Sequence, residues 1–201
     1  MHKKETRINS RDIRYSTRNP ISRRLVSGFY KTIKRYLAQI EAKSVLEVGC
    51  GEGFVLEAAR DILSPKLMIG SDYSDEWVAR ARDMKRNVNL LVCDARKIPF
   101  KEESLDLVLA IEALEHIENP EAALREIARV TSKWALLSVP NGKIWRIANM
   151  ARGKYWAEWG NTPGHVNEWN STEFLAFTLK YFQVIQSSTP FPWVVTLLKK
   201  K

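Results

Sequence analysis

Between Leu25 and Ile40 the apolar residues Leu25, Val26, Phe29, Tyr30, Ile33, Tyr36, Leu37 and Ile40 recur at helical spacing, with Lys31, Lys34 and Arg35 among the polar positions between them. That periodicity predicts an amphipathic helix with one face packed on the body of the protein. From Ser44 the pattern changes to short apolar runs alternating with helical stretches. The order is SVLEVG, a helix over 54–62, KLMIGSD, a helix over 75–85, NLLVCD, LDLVLAI, a helix opened by Asn119 and Pro120, and WALLSVP. Asn119 carries a capping side chain and Pro120 suits the first helical position. Strands and helices alternating at this spacing make βαβ units, and hence a parallel sheet with helices on both faces.

Beyond Pro140 the character shifts, because five of the seven tryptophans (145, 156, 159, 169 and 193) lie there, with Tyr155, Gly160, Pro163 and Gly164. Residues 141–170 are expected to form an aromatic, lid-like excursion. A last helix is predicted after Asn170, with Glu173 as capping partner and Phe174, Phe177, Tyr181 and Phe182 facing inward. VIQSS and PWVVTLL then read as an antiparallel pair that closes the sheet. The expected fold is α/β: a Rossmann-like, doubly wound, mostly parallel seven-stranded sheet with an antiparallel C-terminal strand. A single domain holds a basic N-terminal segment and helix (1–42), a sheet core (43–140), the excursion (141–170) and a closing helix and strand pair (171–201).

Composition narrows the function classes. A chain of 201 residues builds one core that removes about 70% of the extended-chain surface from water. With 45% apolar and 27% charged residues, bulk disorder is excluded. No apolar run approaches the roughly 18 residues of a membrane span, and MHKKETRINSRDIR lacks the apolar stretch of a secretory signal, so a cytoplasmic location is expected. Cys50 and Cys93 have no metal-type spacing and fit a reducing compartment, with packing as their expected role. The net charge of +9 is localised: residues 1–40 hold eleven Lys/Arg against Glu5 and Asp12, and the remainder balances 21 basic with 21 acidic residues. A basic arm on a neutral body suits RNA, an anionic substrate or a membrane surface, and a solvated helix face is the simpler reading.

The sharpest chemical signal is VLEVGCGEGF, residues 45–54, in which an apolar strand ends in Gly49, Gly51 and Gly53 and runs straight into a helix. Glycines there permit a tight turn and let the backbone approach a ligand beside the amide-rich helix start. Asp72 ends the next apolar strand 23 residues after Gly49, where a carboxylate can accept hydrogen bonds from ribose hydroxyls. Asp94 ends the following strand in LLVCDA, within reach of an adenine amino group. A nicotinamide dinucleotide also suits an acid at a strand end, but Phe54 stands where GxGxxG needs its last glycine, and Glu47 precedes the first glycine by two residues.

In this order the motifs VLEVGCGEG, IGSDYS, CDARKIPF and LDLVLAIEALEHIENPEAALREIARV, followed by LLSVPN, resemble the class I S-adenosylmethionine-dependent methyltransferases. The resemblance is to the broad subgroup that includes ubiquinone and menaquinone biosynthesis enzymes, and it covers about residues 43–140. It implies S-adenosylmethionine as cofactor. Glu47 and the backbone of Gly49 and Gly51 would face its methionine part, Asp72 the ribose and Tyr73 the adenine plane. Asp94 and Ala95 would hold the adenine edge, and Ile111 would border the sulfonium.

Glu112, Glu115 and His116 follow at i, i+3 and i+4, which on a helix gathers two carboxylates and an imidazole on one face. The ExxEH pattern is similar to the metal-binding motif of ubiquinone-pathway O-methyltransferases. With His165 in GHVNEW it is also similar to RNA 3′-terminal 2′-O-methyltransferases, and both resemblances imply a cation that binds acceptor hydroxyls. A structural, pocket-lining role is the simpler reading, so no tightly bound metal is expected; Glu112, Glu115, His116 and His165 are the residues that would hold one. His116 is also the candidate general base, and the catalytic group is otherwise undefined. The leading functional expectation is methyl transfer to a small molecule by in-line displacement. The alternative is an RNA or protein acceptor, reached through the basic residues 1–40 and including metal-assisted 2′-O-methylation. A non-catalytic protein that only binds the cofactor stands as the third class.

Overall fold

The computed structural model describes residues 19–83, 88–151, 153 and 155–201. The basic arm before Asn19 and the predicted helix end at 84–85 lie outside the described residues. Helix α1 (Pro20–Leu37) begins five residues earlier than the apolar pattern indicates, because its first turn is specified by capping rather than by burial. Pro20 occupies the first turn, and the Asn19 side chain accepts from the backbone N–H groups of Ile21 (2.9 Å) and Ser22 (3.3 Å).

Next come β1 (Ser44–Val48), α2 (Phe54–Leu63), β2 (Leu67–Asp72), α3 (Asp75–Asp83), β3 (Asn89–Val92) and β4 (Leu105–Ile111). A 3₁₀ turn (Leu114–His116) leads to α4 (Pro120–Val130), β5 (Thr131–Pro140) and α5 (Gly142–Ala151). The chain closes with α6 (Ser171–Thr178), β6 (Phe182–Ser188) and β7 (Trp193–Lys200). The sheet has seven strands in the order β3-β2-β1-β4-β5-β7-β6. All neighbours are parallel except β7, which runs antiparallel to both β5 and β6. This is the doubly wound, Rossmann-like sheet the strand and helix alternation implies.

Side chains alternate between two cores. Along β4, Leu107, Leu109 and Ile111 join α1 and α2 on one face, while Val108 and Ala110 join α4 and α6 on the other. Helix α1 covers its face with Phe29, Ile33, Tyr36 and Leu37, and the Phe29 ring lies 4.6 Å from that of Trp193 on β7. The strand order reverses between β1 and β4, which places a crevice at their carboxyl ends.

Two segments depart from the sequence pattern. Strand β5 begins at Thr131 rather than at Trp134, because α4 passes directly into it through polar residues, of which Lys133 pairs with Asp106 at 2.9 Å. Part of the expected excursion is helix α5. Its apolar stripe is not a core stripe: Ile144 and Ile147 are exposed, and only Gly142 and Asn149 are fully buried. The capping box of α6 forms as expected, with Asn170 and Glu173 each accepting the other's backbone N–H.

Removing the Phe29 ring empties the contact between α1 and β7. Phe29→Ala is expected to lower the unfolding free energy by about 3–5 kcal/mol, and denaturant titration of the variant beside the parent checks it.

Candidate functional site

The glycine segment after β1 holds its shape through backbone groups. Gly49, Gly51 and Gly53 have φ of +69°, +51° and +77°, in the left-handed region that favours glycine. Gly53 caps α2 and donates its N–H to the Cys50 carbonyl at 2.8 Å. The Asp72 carboxylate closes the loop from the next strand: one oxygen accepts the Gly51 N–H and the other accepts the Ser74 N–H, each at 3.0 Å. At Gly49 a Cβ would stand 2.7 Å from the Cβ of Ala113, so only glycine lets the loop rest on the turn after β4. At Gly51, by contrast, a Cβ would meet nothing within 4 Å.

Glu47 is buried near the end of β1, and its carbonyl accepts the Ser71 hydroxyl at 3.0 Å. Tyr73 is 75% exposed beside Asp72, whereas Ala95 and Ile111 are buried. Asp94 follows Cys93, whose N–H donates to the Asp72 carbonyl at 2.8 Å. Its carboxylate forms a forked ion pair with Arg96, and that guanidinium holds the carboxyl below its ordinary range. Burial pushes the Cys50 thiol upward, with further increments from the Glu47 and Asp72 charges, so it stays neutral. Burial is also the main reason the Cys93 thiol is raised, with Asp94 and Glu126 adding to it.

Sequence reasoning passed over Glu52, buried inside the glycine segment with one carboxylate oxygen that has no hydrogen-bond partner among the described residues. A buried carboxylate oxygen beside a glycine segment with open space over Gly51 suits a ligand that carries positive charge at one end and a sugar at the other.

After β4 the expected helical face does not form. Glu112 has φ +57° and the 3₁₀ turn starts only at Leu114, so Glu112 leaves the group: its Oε2 accepts the Trp193 indole N–H at 2.7 Å. Glu115, His116 and His165 come together instead, each offering one ligand atom within 4.8 Å of the others. His165 arrives because the Val166 and Asn167 N–H groups both donate to the Glu115 carbonyl, at 2.9 and 3.1 Å. The His116 Nδ1 lies 2.9 Å from the Gly164 carbonyl, which can only accept, so Nδ1 carries a proton. Two imidazoles and a carboxylate fit a divalent cation, with Glu112 outside the set. Trp193 was not readable as part of this site, because it is 81 residues from Glu112 and reaches it only through the β5–β7 pairing.

A doubly wound sheet of this order, with a glycine segment after β1 and acids at or just beyond the ends of β2 and β3, is in keeping with the resemblance to class I S-adenosylmethionine-dependent methyltransferases. The sequence comparisons agree: residues 46–139 match the family model described as a methyltransferase domain. A Mycobacterium tuberculosis protein named as a probable S-adenosylmethionine-dependent methyltransferase is 30% identical over 110 residues, covering 54% of this chain and 39% of the relative. The Saccharomyces cerevisiae tRNA (carboxymethyluridine(34)-5-O)-methyltransferase is 36% identical over 88 residues, covering 44% of this chain and 30% of the relative. The chain thus spans well under half the length of these relatives. Among solved structures, that of a methyltransferase in complex with the Haloferax volcanii Trm112 methyltransferase activator superposes with a TM-score of 0.70 at 20% identity. It covers 89% of this chain and 92% of that one, and shows the shared fold. The matches are to methyltransferases, S-adenosylmethionine-dependent ones among them, and they do not single out the quinone-pathway subgroup.

Asp72→Ala removes the acceptor of the Gly51 and Ser74 N–H groups along with any ribose contact. It is expected to weaken S-adenosylhomocysteine binding by about 1.5–3 kcal/mol, roughly ten- to a hundredfold, in calorimetry. Parent-like affinity in that variant would remove Asp72 from the cofactor site.

Proposed function

We propose that the chain transfers the methyl group of S-adenosylmethionine to a small-molecule nucleophile by in-line displacement. The observation that carries this reading is a run of rings at the ends of β4 and β7. Phe29, Trp193, Trp145, His165 and His116 contact one another in turn, at centroid distances of 4.6, 5.6, 6.1 and 4.9 Å. Such a wall offers apolar and aromatic surface to a small acceptor and keeps water away from it. In this reading Glu47 and the backbone of Gly49 and Gly51 face the methionine part of the cofactor, and Gly53 opens the helix beneath it. Asp72 takes the ribose, Tyr73 the adenine plane, Asp94 and Ala95 the adenine edge, and Ile111 the sulfonium end.

A methyl group on a sulfonium is already reactive, so alignment of nucleophile, carbon and sulfur in a water-poor pocket supplies most of the acceleration. A base is needed only for an acceptor that arrives protonated. His116 suits that role by residue type, and the contact of its Nδ1 with the Gly164 carbonyl at 2.9 Å orients the ring. Transfer proceeds in this reading without a tightly bound metal. A divalent cation, where one binds, would be held by Glu115, His116 and His165 and would polarise an acceptor hydroxyl.

A second reading, an RNA acceptor, draws support from α1, where Arg23, Arg24, Lys31, Lys34 and Arg35 are all exposed, and from the tRNA methyltransferase among the relatives. Among the described residues no helix is long and apolar enough to cross a membrane. The free thiols of Cys50 and Cys93 support a reducing, cytoplasmic location.

Tritium-labelled S-adenosylmethionine incubated with fractionated cell extract separates the classes. Label is expected in small molecules; label in RNA or protein would transfer the assignment to the second reading, and label in no fraction would leave a cofactor-binding protein without transfer. With the acceptor in hand, EDTA is expected to leave turnover unchanged. His116→Ala should lower kcat by about a hundredfold without altering cofactor affinity. Turnover that EDTA stops and Mg²⁺ restores in the parent, but not in Glu115→Ala or His116→Ala, would replace the base with a metal.

A further inference from the structure

We propose that Arg96 sets how the cleft recognises the purine 6-position, by occupying the Asp94 carboxylate and adding a hydrogen-bond donor beside that acceptor. The proposal rests on the reading above that Asp94 meets the adenine edge. Every contact that supports it is local and at the mouth of the cleft. Oδ1 of Asp94 accepts from the Arg96 backbone N–H at 2.8 Å and from its Nε at 3.0 Å; Oδ2 accepts from Nε at 3.1 Å and from Nη2 at 2.8 Å. The Nε carries one hydrogen, which the two oxygens share, so three N–H groups of Arg96 draw on the roughly four lone-pair sites of the carboxylate. A ligand amino group must therefore displace part of the guanidinium fork or share an oxygen with it.

The pair does not serve the fold. It spans two residues, and its side chains are 40% exposed for Arg96 and 34% for Asp94. Exposed ion pairs of this kind contribute little to stability, so the guanidinium can be displaced at modest cost.

The chemistry at the purine edge is then two-sided. Asp94 alone is an acceptor and selects a 6-amino group. Arg96 adds N–H donors that can satisfy a 6-keto oxygen, so the pair discriminates less than the carboxylate would by itself.

Calorimetry on the full chain with S-adenosylhomocysteine and its 6-keto analogue S-inosylhomocysteine tests this, using the parent, Arg96→Ala, Arg96→Lys, Asp94→Asn and the Asp94→Asn/Arg96→Ala double variant. Arg96→Ala is expected to bind S-adenosylhomocysteine about two- to fivefold more tightly and the 6-keto analogue more weakly, widening the ratio by about tenfold. Arg96→Lys, which keeps the charge and loses the fork, should fall between Arg96→Ala and the parent. Adding Arg96→Ala to Asp94→Asn should produce no further gain for the 6-amino ligand. Unchanged affinities for both ligands in Arg96→Ala, or weaker binding of S-adenosylhomocysteine, would overturn the assignment while leaving the cofactor reading intact. A parent that binds neither ligand would overturn both.

Discussion

The carboxylate of Asp72 takes one backbone N–H from the glycine segment and one from the turn into α3, and so fixes three parts of the chain with a single side chain. Hydrogen bonds to a charged acceptor are among the stronger ones a protein makes, and both donors here are main chain. The segment they restrain has three residues in the left-handed region, a conformation with few side-chain contacts of its own. Held in this way, Gly49 rests against Ala113, which opens the turn that carries Glu115 and His116. The two sides of the candidate site, joined along β1 and β4, therefore pack closely at Gly49, and a methyl group added there would push them apart.

The two sides are built differently. Every residue assigned to the cofactor side except Ile111 lies between Glu47 and Ala95, at successive strand ends, so its geometry follows from parallel register: Glu47 pairs with Gly70, and Asp72 with Val92. The acceptor side joins Phe29, Glu112, His116, Trp145, His165 and Trp193, which meet only when α1, α5 and β7 converge on the end of β4. The segment that brings His165 is itself secured by the Asn167 side chain, which donates to the carbonyls of Ile117 at 2.6 Å and Leu114 at 3.3 Å.

That contrast explains what the sequence made legible. Short apolar runs ending in glycine or aspartate announce both a strand and its end, so the sheet, the glycine segment, Asp72 and Asp94 could be read from residue order. The Asn119 and Asn170 caps were legible for the same reason, since a cap acts on residues two or three positions away. Helix α5 was not legible, because its exposed Ile144 and Ile147 break the link between apolar spacing and burial. Nor was the arrangement after β4. A regular helix would have grouped Glu112 with Glu115 and His116, but the left-handed backbone at Glu112 and its tie to Trp193 depend on a strand far along the chain. The Arg96 fork escaped notice for the opposite reason: it is local, but at an exposed turn where sequence alone does not distinguish a bound guanidinium from a solvated one.

Charge is distributed against the grain of the composition. The chain carries a net charge of +9, yet the floor of the cleft is acidic, with Glu47 and Glu52 buried and Asp72 and Asp94 at its rim. The thiol of Cys50 registers that field, since beyond the effect of burial both Glu47 and Asp72 push it away from the thiolate. A potential that opposes an anion at Cys50 favours a cation in the same place, and a sulfonium is the one common methyl donor that brings its own positive charge. Transfer of the methyl group neutralises that sulfur. On the proposed reading, the attraction between the cleft and the reacting end of the ligand would weaken as the product forms, while hydrogen bonds to ribose and purine would be unaffected. An acidic floor beneath a neutral-to-basic exterior would then favour the loaded donor over the spent one without requiring any movement of the chain.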